Sequence, residues 1–254
     1  LFYLGENGFG YFYTKRTRNH LILNFSKNST RFYGRRKGRK LSATAKMALI
    51  YGENYLIKSK NQTHYFSELF SSNKNQKIIL EIGFGNGENL VELAKKYPER
   101  LFIGAEPFLN SAIQCIQKLK KYDIENVKIW QDDIKKILDF LPPNIISEIK
   151  ILFPDPWPKT KHKSRRLIQP EFIERLNVIL VQGGTITIGT DHSILKSWIL
   201  ENFQTSRKFE WVANNAKEWR TRPSDCVVTK YEKKSYEANR LPSWFVYKKI
   251  EISM

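Results

Sequence analysis

The chain has 254 residues, enough for one large domain, or one domain with an extension, and for a full-sized core. Its 41% hydrophobic and 13% aromatic content excludes wholesale disorder. With 43 Lys and Arg against 25 Asp and Glu, the net charge of +18 makes a polyanion the default partner, although a generally basic proteome rich in Lys, Asn and Ile would look the same.

Residues 1 to about 45 read as a basic, largely irregular N-terminal arm. No acid stands between residues 7 and 52, and the run Gly34-Arg35-Arg36-Lys37-Gly38-Arg39-Lys40 has no apolar residue to fold around. Two uses stay open for it, a solvated tail or a contact with nucleic acid. Phe25, Phe32 and Tyr33 tilt the reading toward the second, because bases stack on aromatic rings. Residues 46–254 are expected to form a single domain.

Within that domain, residues 77–82 read as a strand ending in glycines. Residues 89–97 have helical spacing, with apolar side chains at Leu90, Leu93, Ala94 and Tyr97. A second strand (101–105) and helix (110–122) follow, the helix gathering Ala112, Ile113, Ile116 and Leu119 on one face. Next come a third strand at 127–130, a short helix at 134–141 and a fourth strand at 149–153. A helix at 171–180, a fifth strand at 184–188 and a helix at 194–202 continue the alternation, with extended segments near 208–213 and 243–250. Strands alternating with helices at this pitch predict an α/β fold with a parallel, doubly wound sheet.

The first strand runs into Glu81-Ile82-Gly83-Phe84-Gly85-Asn86-Gly87. Glycines let a backbone turn tightly and approach a ligand, and the following helix offers unpaired N–H groups. Such a loop alone has little specificity and also suits a plain tight turn. The spacing here is G-x-G-x-G, not the G-x-G-x-x-G of dinucleotide binders. Glu81 is awkward beside a pyrophosphate but suits the ammonium of a methionine moiety. Glu106 follows the second strand, where a carboxylate can accept from both ribose hydroxyls. Asp132 and Asp133 follow the third, within reach of an adenine amino group. Asp133 can equally cap a helix, or do both. Three acids after three successive strands, with one glycine loop, describe an adenosyl group without phosphates, which points to S-adenosylmethionine.

The fourth strand ends in Phe153-Pro154-Asp155-Pro156-Trp157-Pro158-Lys159, a stiff extended run at the sheet edge where doubly wound folds keep their sites. Lys161, His162, Lys163, Arg165 and Arg166 follow with no acid before Glu171, a basic strip suited to backbone phosphates. Trp157 can stack on a base or pack in the core. Asp191, after the fifth strand, is either a helix cap or a substrate acceptor. Thr229-Lys230-Tyr231-Glu232, preceded by Arg222-Pro223, read without context as a surface loop.

Taken together, the Glu81–Gly87 loop, Gly104-Ala105-Glu106-Pro107, the Phe153–Lys159 run with Lys161–Arg166, Thr190-Asp191 and Thr229–Glu232 resemble the bacterial tRNA (guanine-N7-)-methyltransferase family over roughly residues 31–250. The proline motif with its basic tail is quite specific to that family; the glycine loop is common to methyltransferases at large. The resemblance implies a Rossmann-like, mostly parallel seven-stranded sheet and methyl transfer from S-adenosylmethionine to N7 of a guanosine in the tRNA variable loop. By analogy Glu81, Gly83, Gly85, Gly87, Glu106, Asp133 and Asp155 bind the cofactor. Asp155 lies between cofactor and substrate as the catalytic residue, and Lys159, Asp191, Thr229, Lys230, Tyr231 and Glu232 bind the substrate.

Cys115 and Cys226 form neither a disulfide framework nor a metal-ligand spacing, and no apolar run is long enough to span a membrane. The expectation is a cytoplasmic enzyme that binds tRNA, without a metal or a membrane, as a monomer or weak homodimer.

Overall fold

The computed structural model describes residues 32–36, 38, 40–57 and 61–250; most of the expected arm, including Phe25, lies outside them. The chain first forms α1 (Ala43–Tyr51) and α2 (Gln62–Ser72). Ser42 caps α1 by accepting the Ala45 N–H, so a helix begins just inside the stretch read as irregular. Then β1 (Ile78–Ile82), α3 (Glu88–Lys96), β2 (Leu101–Ala105), α4 (Leu109–Lys121), β3 (Val127–Trp130) and β4 (Ile146–Leu152) alternate as the periodicity predicts. They are followed by α5 (Pro170–Ile179), β5 (Leu180–Thr190), α6 (Ser193–Ser206), β6 (Phe209–Trp211), α7 (Ala216–Arg220), α8 (Lys230–Glu237) and β7 (Ser243–Lys249).

The sheet has seven strands in the order β3-β2-β1-β4-β5-β7-β6. The first five are parallel, and β7 runs antiparallel between β5 and β6. β1, at the centre, is buried along its whole length and feeds both faces by simple alternation. Ile79 packs with Leu90, Leu93, Ile116 and Leu119 of α3 and α4. Ile78, Leu80 and Ile82 point the other way, into the larger core with Phe66, Phe172, Leu176 and Ile199. Glu81, two residues after Ile79, therefore lies on the α3 face at the carboxyl end of the sheet.

Between β1 and β2, α3 packs closely on α4. Gly87, with φ of +76°, sits so close that a Cβ there would lie 2.5 Å from Cys115 Sγ. Two departures from the sequence reading are local. The helix expected at 134–141 is two 3-10 turns, Ile134–Lys136 and Leu138–Phe140. The expected loop at 229–232 is instead the cap and first turn of α8, because Thr229 Oγ1 accepts the Glu232 N–H.

Candidate active site

β1, β2 and β3 are neighbours in the sheet, so the predicted acids Glu81, Glu106 and Asp133 lie along the same edge of it. Glu81, 3% exposed, receives a hydrogen bond from Asn89 Nδ2 at 2.8 Å. No salt bridge to it forms among the described residues, and burial pushes its carboxyl up to about 7 against the Asn89 bond and the charge of Lys150 on β4. Glu106 is clamped by two backbone donors, the Gly85 N–H (2.9 Å) and the Phe108 N–H (2.8 Å). Burial raises its pKa against those bonds, and the charge of Asp155 adds to the rise. Asp133 Oδ1 accepts the Lys135 N–H at 3.1 Å, while its Oδ2 is buried without a partner. It is thus a cap with one oxygen to spare. The loop between Glu81 and α3 turns through Gly83, Gly85 and Gly87, all at positive φ, and a Cβ at Gly83 would meet nothing within 4 Å.

Asp155, past the tip of β4, is exposed, yet crowded enough by protein that its carboxyl is raised. The run that carries it is strained: Phe153 and Trp157 adopt φ of +54° and +41°, a region that costs non-glycine residues about 1–3 kcal/mol each. Three contacts hold it there. The Phe153 N–H donates to Gly189 O at 2.7 Å. The Phe153 ring meets Trp244 edge-on at 5.8 Å. Arg166 donates to the carbonyls of Pro156 (3.3 Å) and Trp157 (3.3 Å). Arg166 is 5% exposed, which corrects its expected place in the phosphate-facing strip: it is the internal brace of the Pro-Asp-Pro run.

Lys159, Lys161, Lys163 and Arg165 stay on the surface around a 3-10 helix, Thr160–Arg165. Arg165 lies over both Trp157 (5.1 Å) and Tyr33 (5.2 Å), so Trp157 belongs to this rim rather than to the core. Arg36 and Gly38 lie nearby: Arg36 pairs with Asp132 at 2.5 Å, and the Gly38 N–H donates to Asn110 Oδ1 at 2.9 Å.

The opposite rim comes from α8. The ring of Tyr231 lies 3.5 Å from where a Gly85 Cβ would stand, and both Glu106 and Asp155 raise its pKa after burial has done so. Lys230, over that ring at 5.0 Å, is near enough to oppose the rise at Glu106. Thr229 and Glu232 are buried. Glu232 Oε1 binds Arg222 at 2.9 Å and its Oε2 has no partner. Asp191 binds Arg240 at 2.6 Å, and the bonds from Arg240 and Ser235 outweigh desolvation and lower its pKa. Sequence reasoning missed Asn89, Lys150 and Arg240 as organisers, since each binds a partner far along the chain: Val227, Asp225 and Asp191.

A central strand flanked by parallel neighbours, one reversed strand near the edge, a glycine loop and acids at three successive strand tips define a Rossmann-like methyltransferase. Residues 75–242 match a family model described as putative methyltransferase. Two solved structures share the fold: the 16S rRNA methyltransferase KamB, with TM-score 0.54 at 10% identity over 73% of this chain and 94% of that one, and an antibiotic-related methyltransferase, with TM-score 0.51 at 18% identity over the same shares. Among curated proteins, the tRNA (guanine-N(7)-)-methyltransferase of Rhodospirillum rubrum is 33% identical over 86% of this chain and 88% of its own length. The Bartonella quintana protein of the same name is 33% identical over 86% and 95%. The chain belongs to the tRNA (guanine-N(7)-)-methyltransferase family.

Proposed function

We propose that this chain transfers the methyl group of S-adenosylmethionine to N7 of a guanosine in the variable loop of tRNA. The observation that supports this most is the gathering of Glu81, Glu106 and Asp133 along one sheet edge, with the charge of Asp155 acting on Glu106, in a chain of this family.

The residues present fit such a cofactor. The unpaired, buried Asp133 Oδ2 suits an adenine amino group. The Glu106 oxygens, already oriented by two N–H groups, keep lone pairs for ribose hydroxyls. Glu81, a buried carboxylate in no salt bridge among the described residues, suits the ammonium, and the open space at Gly83 admits close approach. When bound, the cofactor supplies an electrophilic methyl carbon on a sulfonium.

Guanine N7 already carries a lone pair, so the protein need not remove a proton before attack. Its task is alignment. Asp155, held by the braced Pro-Asp-Pro run, would accept hydrogen bonds from the guanine N1–H and amino group and favour the positive charge that develops on the purine. Lys159, Thr229, Lys230 and Tyr231 would form the substrate wall. Asp191 and Glu232, each tied to an arginine, would act from within that wall. Lys161, Lys163 and Arg165, together with the arm at residues 1–45, would meet backbone phosphates.

The test is incubation with labelled cofactor and unmodified tRNA, followed by nucleoside mass spectrometry and by reduction and aniline cleavage to map the site. The expected product is 7-methylguanosine in the variable loop. Methylation at another atom alone would refute the assignment.

A further inference from the structure

Between α7 and α8 the chain from Thr221 to Thr229 has no helix or strand of its own, yet it leads directly into the α8 wall. Something else must position it. Two buried side chains do so, and both flank Glu81. Asn89, 1% exposed in the first turn of α3, accepts the Val227 N–H at 2.9 Å and donates to Glu81 Oε2 at 2.8 Å. Lys150, the register partner of Glu81 on β4, is 1% exposed and binds Asp225 at 2.5 Å.

The orientation of the Asn89 amide follows from its partners. A backbone N–H can only donate, so Oδ1 must face Val227 and Nδ2 must face Glu81. The amide is therefore spent at both ends, one on Glu81 and one on Val227.

We propose that Asn89 is a positioning residue that couples the cofactor-facing carboxylate of Glu81 to the 225–232 segment on the substrate side. The inference rests on the reading that Glu81 receives the cofactor's ammonium. It also has a direction. Near neutral pH the buried Glu81 is divided between its acid and its carboxylate form. A neighbouring ammonium holds it as the carboxylate, and hydrogen bonds to a charged acceptor are shorter and roughly twice as strong. Cofactor binding then tightens Asn89 on Glu81, and through Oδ1 tightens Val227 and the entry to α8. By linkage, an ordered 225–232 segment raises affinity for the cofactor by the same factor.

Hydrogen exchange at pH 7, with and without S-adenosylhomocysteine, reads this without catalysis. In the parent the ligand is expected to slow exchange at the Val227 amide by about fivefold or more. Asn89→Asp still accepts from Val227 but can no longer donate to Glu81. It is expected to bind the ligand about tenfold more weakly, with no ligand-dependent slowing at Val227. Lys150→Met cuts the other tether and is expected to keep the slowing while exchange at the Cys226 amide, which donates to Pro223 O beside it, speeds up. Ligand binding to the parent without slowing at Val227 overturns the inference alone. So does slowing that survives in Asn89→Asp, or that disappears in Lys150→Met. If the parent does not bind the ligand at all, the cofactor reading falls and this inference falls with it.

Discussion

The wall at the tips of β1, β2 and β3 is held largely by backbone, Glu81 on Asn89 excepted, whereas the wall made by Phe153–Arg166 and Arg222–Glu232 is held largely by side chains. On the first wall, Glu106 is fixed by two peptide N–H groups, and Gly87 is fixed by contact with α4. On the second, Asp155 is fixed by Arg166 and by two residues in a costly conformation, and α8 is placed by Asn89, Lys150 and Arg222. A wall built on a ladder tolerates change in its side chains. One built on side-chain braces transmits it. The expected consequences run from chemistry, through ligand affinity, to RNA binding.

The largest effect is expected at the substrate wall. Asp155→Ala should leave the melting temperature near that of the parent and lower kcat roughly 10²- to 10³-fold, the scale for losing one preorganised electrostatic partner of the transition state. Equal turnover in the two proteins, measured by methyl incorporation into tRNA, would remove Asp155 from the reaction. Glu106→Ala is expected to weaken S-adenosylhomocysteine binding by about 10²-fold in calorimetry, because it removes an acceptor and orphans two N–H groups. A change under threefold would show that the ladder, not this carboxylate, makes the pocket.

A third effect separates the walls by pH. Glu81 is raised to about 7, so below that value it becomes neutral, and binding an ammonium then requires its ionisation. Affinity for S-adenosylhomocysteine should be flat above about pH 8 and fall toward tenfold per unit below pH 6. Glu81→Gln should bind weakly at every pH, with that slope gone. The sign for stability is the reverse. Without ligand, the folded state holds a proton that the unfolded state has lost between about pH 4.5 and 7, so this group lowers stability as pH rises through that window.

The smallest effect distinguishes two adjacent arginines. Arg165→Glu should reduce the slope of log affinity for tRNA against log salt by about 1 to 2 and leave the melting temperature alone. Arg166→Met should lower the melting temperature and kcat while keeping the slope, since Arg166 is buried on the Pro156 and Trp157 carbonyls. Identical salt behaviour in the two variants would mean that this rim meets no phosphate.

Residues from β1 to α6 are legible in the sequence because hydrophobic period and local punctuation agree there: Ile78–Ile82 followed by glycines, or Asn89–Lys96 with its apolar stripe. The same locality makes the places of Glu81, Glu106 and Asp133 readable, since Glu81 is the penultimate residue of β1, just before the glycines, and the other two stand just past β2 and β3. Thr229–Glu232 is not legible as a helix. Its N-cap matches the rule, but the segment before it is tied down by residues far along the chain, Asn89, 138 positions away from Val227, and Lys150, 75 positions from Asp225. Arg166 is misread for the same reason. In a run of Lys and Arg, composition cannot tell the one side chain that turns inward from those that face solvent. α1 and α2 carry too weak an apolar period to announce themselves beside so much charge.

The most direct measurement is a crystal structure with S-adenosylhomocysteine bound. The account predicts the adenine amino group on Asp133 Oδ2, the ribose hydroxyls on Glu106, the ammonium on Glu81 and the sulfur facing Asp155. A crevice closed by side chains, or a bound ligand with Asp155 turned away from its sulfur, would contradict it.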